Sequence, residues 1–235
     1  MSAGISVGLP VPSPPSQAAV TLTPRILWPS LERAGGAQPA SWQPTDLGTF
    51  PDAPFITERR RRGDGKSHLP MFREQVRRAF DRVLIVDTYL LCGGEAAEDE
   101  ILSWFPNDFE ANDVRIGCGG MRPGREERLF RARLTDCTAA INARRTGTGG
   151  QAAAIQLKLT LDPGRYPFVH DRFAVVDDEL WHFGATVGGL HHGVNAATRG
   201  WSATAVGAVR FFGEVWRQPA QGGSGVRTAC DRGAR

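Results

Sequence analysis

The stretch Phe168–Thr186, "FVHDRFAVVDDELWHFGAT", places a histidine, an arginine and several acids inside what otherwise reads as two apolar strands. Burying charge among β-branched and aromatic residues costs free energy unless the charges are paired or used. "HDRFAVVD" and "LWHFGAT" are separated by Asp178 and Glu179, a two-residue connection that makes a β-hairpin, although neither residue is the glycine such turns prefer. In an extended chain His170 and Arg172 point to the same face, so one approaching anion can touch both. Asp177 lies at the far end of the strand, near the turn. An edge strand whose alternate residues face solvent explains the same pattern with no function at all.

The flanking sequence supplies the rest of an α/β domain. Phe72, Val76, Ala79 and Phe80 recur at helical spacing with Pro70 near the start, and "RVLIVDTYLL" follows as a mostly apolar run that suits a strand buried on both faces. Ala97, Ile101, Trp104 and Phe105 predict a second short helix, "DVRIGCG" a second strand, and Phe130, Leu134, Cys137 and Ile141 the apolar stripe of a longer helix. "AIQLKLTLD" alternates cleanly, with Lys158 on its polar face. "WSATAV" reads as another strand, and "VRFFGEVWRQ" as a closing helix with Val209, Phe212 and Trp216 inward. The order predicts a mixed sheet flanked by helices, spanning residues 67–218.

Before it, residues 1–66 are rich in Pro, Gly, Ser and Ala and read as an irregular extension and linker, closing with Arg59 to Arg62. Trp28, Trp42, Phe50 and Phe55 suggest that parts of the extension dock onto the domain. The tail 219–235 is Gly-rich and basic, with the composition of a disordered segment.

Composition narrows the classes. The 235 residues carry a net charge of +3, nearly all the positive charge is arginine, and Lys66 and Lys158 are the only lysines. Arginine binds phosphate bidentately, which permits a nucleic-acid partner without requiring one. No apolar run of about 18 residues is present, so no transmembrane segment is expected. The start, "MSAGISVGLPVPSPPSQAAV", is broken by proline and glycine where a secretory signal would be continuous, so a cytoplasmic location is expected. Cys92, Cys118, Cys137 and Cys230 form no C-x-x-C pair and fit free thiols of a reducing compartment.

Three tempting motifs have plainer explanations. "GDGKS" at Gly63–Ser67 has Arg60 where a phosphate-binding loop needs glycine, and it follows no strand. His182, His191 and His192 match no familiar metal spacing, so no metal is assigned. The four-arginine run suits a solvated linker.

His170, Arg172, Asp177 and Gly184 stand at H-x-R-x4-D-x6-G. This resembles the H-x-K-x4-D-x6-G signature of the phospholipase D superfamily, with arginine for lysine, and the H-D-R text resembles a bacterial subgroup of single-copy phospholipase D-like domains. The resemblance implies a metal-independent phosphodiesterase without cofactor, most naturally a nuclease. In that reading His170 is the nucleophile or acid, Arg172 holds phosphate oxygens and Asp177 orients the imidazole. Lys158, Gly184 and Thr186 are assigned to substrate binding. Because a complete site needs two histidines, it implies a homodimer. Active relatives place serine and asparagine where Ala185 and Val187 stand here. The alternative is a non-catalytic phosphate-binding module for nucleic acid, a lipid headgroup or a partner protein, an accessory or sensing part of a larger bacterial system. A purely structural domain is the third reading.

Overall fold

The computed structural model describes residues 25–27, 30–31, 67–121, 124–159, 161, 169–189 and 196–217. In chain order these form β1 (Arg25–Leu27), β2 (Ser30–Leu31), β3 (Ser67–His68), α1 (Pro70–Arg77), β4 (Arg82–Asp87), α2 (Glu95–Ser103), β5 (Asp113–Cys118), α3 (Glu127–Gly147), β6 (Ala154–Lys158), β7 (Arg172–Val176), β8 (Glu179–Phe183), a 3-10 turn (Val187–Gly189), β9 (Ala197–Ser202) and α4 (Ala208–Arg217). Seven strands make one mixed sheet in the order β1-β9-β8-β7-β4-β5-β6, and β2 pairs with β3 apart from it. The α/β class and the flanking helices are as expected from the sequence.

Strands β4, β5 and β6 are parallel, joined through α2 and α3, while β7 runs antiparallel beside β4 and begins the antiparallel half of the sheet. Alternation along β4 sorts the two faces. Val83 and Ile85 join Phe72 and Val76 of α1, Ile101 of α2 with Trp104 just after it, and Phe130, Leu134 and Ile141 of α3 in the larger core. Leu84 and Val86 face the other way, with Phe173, Val175, Phe212 and Val215 under α4. A strand buried on both faces has no polar face to spare, which is why the β4 text is so uniformly apolar.

Phe72 knits α1 to the sheet, its ring edge-on to Trp104 at 5.4 Å, Trp181 at 5.3 Å and Phe183 at 5.1 Å. Arg145, from the last turns of α3, is buried and donates to the carbonyls of Phe109, Ala111 and Gln151 and to Asn112 Oδ1, at 2.7 to 3.2 Å. Those bonds tie the end of α3 to the loop entering β5, satisfying carbonyls that no strand reaches.

Several expectations need correction. Residues 25–27 are not irregular: β1 pairs antiparallel with β9 and extends the main sheet beyond the expected boundary at residue 67. Helix α1 ends at Arg77, so Ala79 is buried and Phe80 turns outward, half exposed. The hairpin turn is Asp177–Asp178, one residue earlier than expected, because Glu179 is buried in β8 and pairs bidentately with Arg199 at 2.8 and 2.7 Å. Cys92 is disulfide-bonded, whereas Cys118 and Cys137 are free thiols. Sequence separation, on which the expectation of four thiols rested, says nothing about which cysteines meet in space. Among the described residues no helix is long and apolar enough to cross a membrane. The arginine run, most of "GDGKS", Trp28, Trp42, Phe50, Phe55, His191, His192 and the tail 219–235 lie outside the described residues.

Candidate functional site

At the C-terminal ends of the parallel strands, where β4 meets antiparallel β7, the sheet changes direction, and open α/β sheets commonly bind ligands at such points. Val86 pairs with Phe173, so the next positions, Asp87 and Arg172, lie side by side and face α1 and α2. His170 is two residues upstream of β7, exposed, and makes no hydrogen bond among the described residues.

Asp87 is the centre of this arrangement. Its carboxylate is fully buried; Oδ1 accepts the Tyr89 N–H at 2.8 Å and Oδ2 accepts the Val187 N–H at 2.7 Å. Arg172 Nε lies 3.8 Å from Asp87 Oδ1, and the guanidinium sits over the Tyr89 ring with its carbon 4.8 Å from the centroid. Nε thus faces the acid, while the terminal nitrogens of Arg172 have no hydrogen-bond partner among the described residues. Burial pushes the Asp87 acid up to about 6, with the two N–H bonds and the Arg172 charge opposing it. Cys118, buried at the end of β5, is held well above the ordinary thiol range by burial and then by the Asp87 charge, so it is a packed thiol rather than a nucleophile.

The remaining sequence-predicted residues separate into those near this centre and those away from it. Gly184 is exposed just after β8, its N–H bonded to the Ala196 carbonyl at 2.9 Å. Ala185, Thr186 and Val187 are buried, and Val187 reaches the centre only through its backbone N–H. Thr186 accepts the Gly189 N–H at its carbonyl, closing the turn at 3.0 Å.

Within one chain Asp177 lies away from His170. It lies at the opposite end of β7, at φ 57°, where its Oδ1 accepts the N–H groups of Phe80, Asp81 and Arg82 at 3.1, 2.9 and 3.3 Å. Aspartate tolerates that left-handed backbone better than most residues, and the three bonds clamp the α1–β4 connection to the hairpin. Burial holds its acid above the usual range even against those bonds. Lys158 is likewise placed elsewhere. It ends the edge strand β6 on the α4 face, where Nζ donates to the Trp216 carbonyl and lies 5.5 Å from the Trp216 ring centroid. Strands β5 and β4 separate it from β7, and Arg172 faces the other side of the sheet.

Asp87 and Tyr89 are the site residues that the sequence reading missed. Their signal was present: "VLIVDTYLL" interrupts a doubly buried strand with an acid, which burial tolerates only when the acid is satisfied.

No protein-family model matches the chain, and no curated protein matches it. Among solved structures it is similar to the phosphatidylserine synthase of Haemophilus influenzae Rd KW20, at 16% identity and a TM-score of 0.38. That similarity covers 63% of this chain and 34% of the other. It is also similar to TrmBL2, an archaeal chromatin protein whose structure shows a novel mode of DNA binding, at 13% identity and a TM-score of 0.33, over 63% of this chain and 47% of that one. The chain therefore spans less than half the length of either protein.

Proposed function

We propose that the domain is a phosphate-binding module of phospholipase D-like type, with His170 and Arg172 as the groups that grip a phosphodiester on a nucleic acid, a lipid headgroup or a partner protein. The observation that carries this reading is the seating of Arg172. Its Nε side is backed by Asp87 and its face by Tyr89, leaving the fork of terminal nitrogens without a hydrogen-bond partner among the described residues. A guanidinium fixed in that way loses little freedom on taking a phosphate bidentately.

Binding is favoured over turnover because the supporting groups of an active site are absent from this chain's described residues. Asp177 is occupied at the far end of β7, and Ala185 and Val187 bury apolar side chains where active relatives of the resembled family place polar ones. A second reading, a metal-independent phosphodiesterase or nuclease, draws support from His170 itself, which is exposed and has no hydrogen-bond partner among the described residues. In that reading His170 attacks phosphorus and a second copy of the chain supplies the histidine that protonates the leaving alcohol.

One experiment separates the two. The full chain, with chelator present, is titrated with single-stranded DNA, anionic vesicles and a chromogenic phosphodiester, alongside Arg172→Ala and His170→Ala. The module reading expects salt-sensitive binding without turnover, weakened by about tenfold or more in Arg172→Ala, the usual scale for a charged hydrogen bond. Turnover that disappears in His170→Ala would replace it with the catalytic reading. Binding equal in all three proteins would refute both.

A further inference from the structure

The proposed grip places a cation where an anion is to bind, yet the same cation already has a buried anion behind it. Asp87 is fully buried, 3.8 Å from Arg172 Nε, and is also bonded to the turn that follows β8 through Val187 N–H. Arg172 and Asp87 together carry no net charge, so an arriving phosphodiester meets a guanidinium whose field is largely cancelled.

We propose that Asp87 sets the anion affinity of this site: as a carboxylate it offsets the charge of Arg172, and as a neutral acid it leaves that charge uncompensated, so that a phosphodiester and a proton bind together. The inference rests on the phosphate-binding reading above. Geometry supplies the coupling, since the buried acid lies 3.8 Å from Arg172 Nε, on the guanidinium that is proposed to take the anion. Burial supplies the accessible proton, because it brings Asp87 to about 6, within reach of weakly acid solution.

Among the described residues the groups facing Asp87 are few. From β7 there is Arg172, with His170 two residues upstream; from the segment after β4 there is Tyr89, whose ring lies under the guanidinium; from β5 there is Cys118. The 3-10 turn contributes only the Val187 N–H, and Glu127 and Arg131 of α3 are felt at Cys118. Cys118 remains a thiol throughout because its acid is pushed upward. His170, the other proposed anion-binding group, is replaced by glutamine in the test so that the effect of Asp87 is read by itself. Linkage is reciprocal: if protonation of Asp87 strengthens anion binding, anion binding must draw a proton onto Asp87.

The probe is diphenyl phosphate, whose single charge does not change between pH 5 and 8, titrated by calorimetry into the full chain. Wild type, His170→Gln and Asp87→Asn are compared across that range, with near-ultraviolet circular dichroism as the check on folding. His170→Gln is expected to bind about tenfold more tightly at pH 5 than at pH 8, an ordinary size for coupling between neighbouring sites. Asp87→Asn is expected to bind at pH 8 about tenfold more tightly than wild type, because the neutral amide leaves Arg172 uncompensated. A pH-independent affinity in His170→Gln, or unchanged or weaker binding in a folded Asp87→Asn, overturns the inference while leaving the phosphate site standing. If Asp87→Asn does not fold, the His170→Gln profile decides alone. If wild type binds the diester at no pH, the phosphate-binding reading fails and this inference falls with it.

Discussion

Replacing Asp87 by asparagine should change the shape of the stability curve against pH, and the direction follows from where the proton resides. In the folded domain the buried acid keeps its proton up to about pH 6, whereas an unfolded chain releases it near the ordinary value of 3.8. Between these limits the folded state holds the extra proton, so raising the pH favours unfolding. The stabilising contribution is fully present below the unfolded value and is lost as pH rises through the folded one. At about 1.4 kcal/mol per pH unit over a gap of roughly two units, the full effect is about 3 kcal/mol, of which about 2.5 falls between pH 4 and 7. Asparagine cannot titrate. Urea unfolding of both proteins at half-unit intervals from pH 4 to 8, followed by far-ultraviolet circular dichroism, gives two curves whose difference isolates this residue. Wild type should lose about 2.5 kcal/mol relative to Asp87→Asn on going from pH 4 to 7, then run parallel to it above pH 7. Curves parallel throughout to within about 0.5 kcal/mol, the scatter of an uninvolved substitution, would refute the assignment of Asp87 as a buried acid opposed by only one cation.

Other outcomes follow from groups described above. Asp177→Ala should cost about 2 kcal/mol by removing one acceptor from three N–H groups, while Asp177→Asn should recover much of it by keeping an oxygen at that place. Phosphodiester affinity of the folded Asp177→Ala protein should change less than about twofold, within the scatter of a distant substitution; a larger loss would return Asp177 to the site. Arg145→Ala strands the carbonyls that its guanidinium serves and should lower stability by about 3 kcal/mol, seen as a fall of roughly 10 °C in Tm; a shift under about 3 °C would mean water replaces those bonds. Gly188→Ala sets a Cβ 2.8 Å from Trp104 Cζ2 at φ +78°. It should cost about 2–4 kcal/mol in chemical denaturation, and a neutral result would mean that the turn re-forms with another geometry.

The comparison between sequence and structure turns on particular residues. Periodicity placed β4, β5, β7, β8, α3 and α4 because each buries a face whose repeat is visible in one dimension. Phe80 broke the pattern: α1 unwinds after Arg77, and the helical repeat no longer governs where the ring points. Glu179 looked like a turn residue because its partner, Arg199, is twenty positions away and reaches it only through β8–β9 pairing. His170 and Arg172 were read as neighbours on one face of a strand; β7 begins at Arg172 and His170 lies two residues before it, outside the strand whose alternation would fix its face. Asp177 was drawn into the same site by its place in a motif, although seven residues of extended chain span about 23 Å and strand geometry alone forbids the contact within one chain. Lys158 was read as lying on the polar face of its strand. Which face of the sheet that was, and which strands stood between, depended on a topology the linear pattern does not encode. Asp87 was visible as an acid in an apolar run but had no spacing to tie it to Arg172, because their pairing is made by strands 85 residues apart.

The three-residue strand β1 has a consequence for handling the protein. Arg25, Ile26 and Leu27 pair with Arg199, Thr198 and Ala197, which places them along the outer side of β9. Without them β9 becomes a terminal strand, offering the same N–H and C=O groups to any extended peptide nearby. A shortened protein beginning at residue 67, the boundary suggested by composition, would keep His170 and Arg172 yet gain an adhesive margin on the other half of the sheet. Such a fragment should self-associate at concentrations where the full chain does not, and a chain begun before Arg25 is the form in which binding to Arg172 can be measured without that artefact.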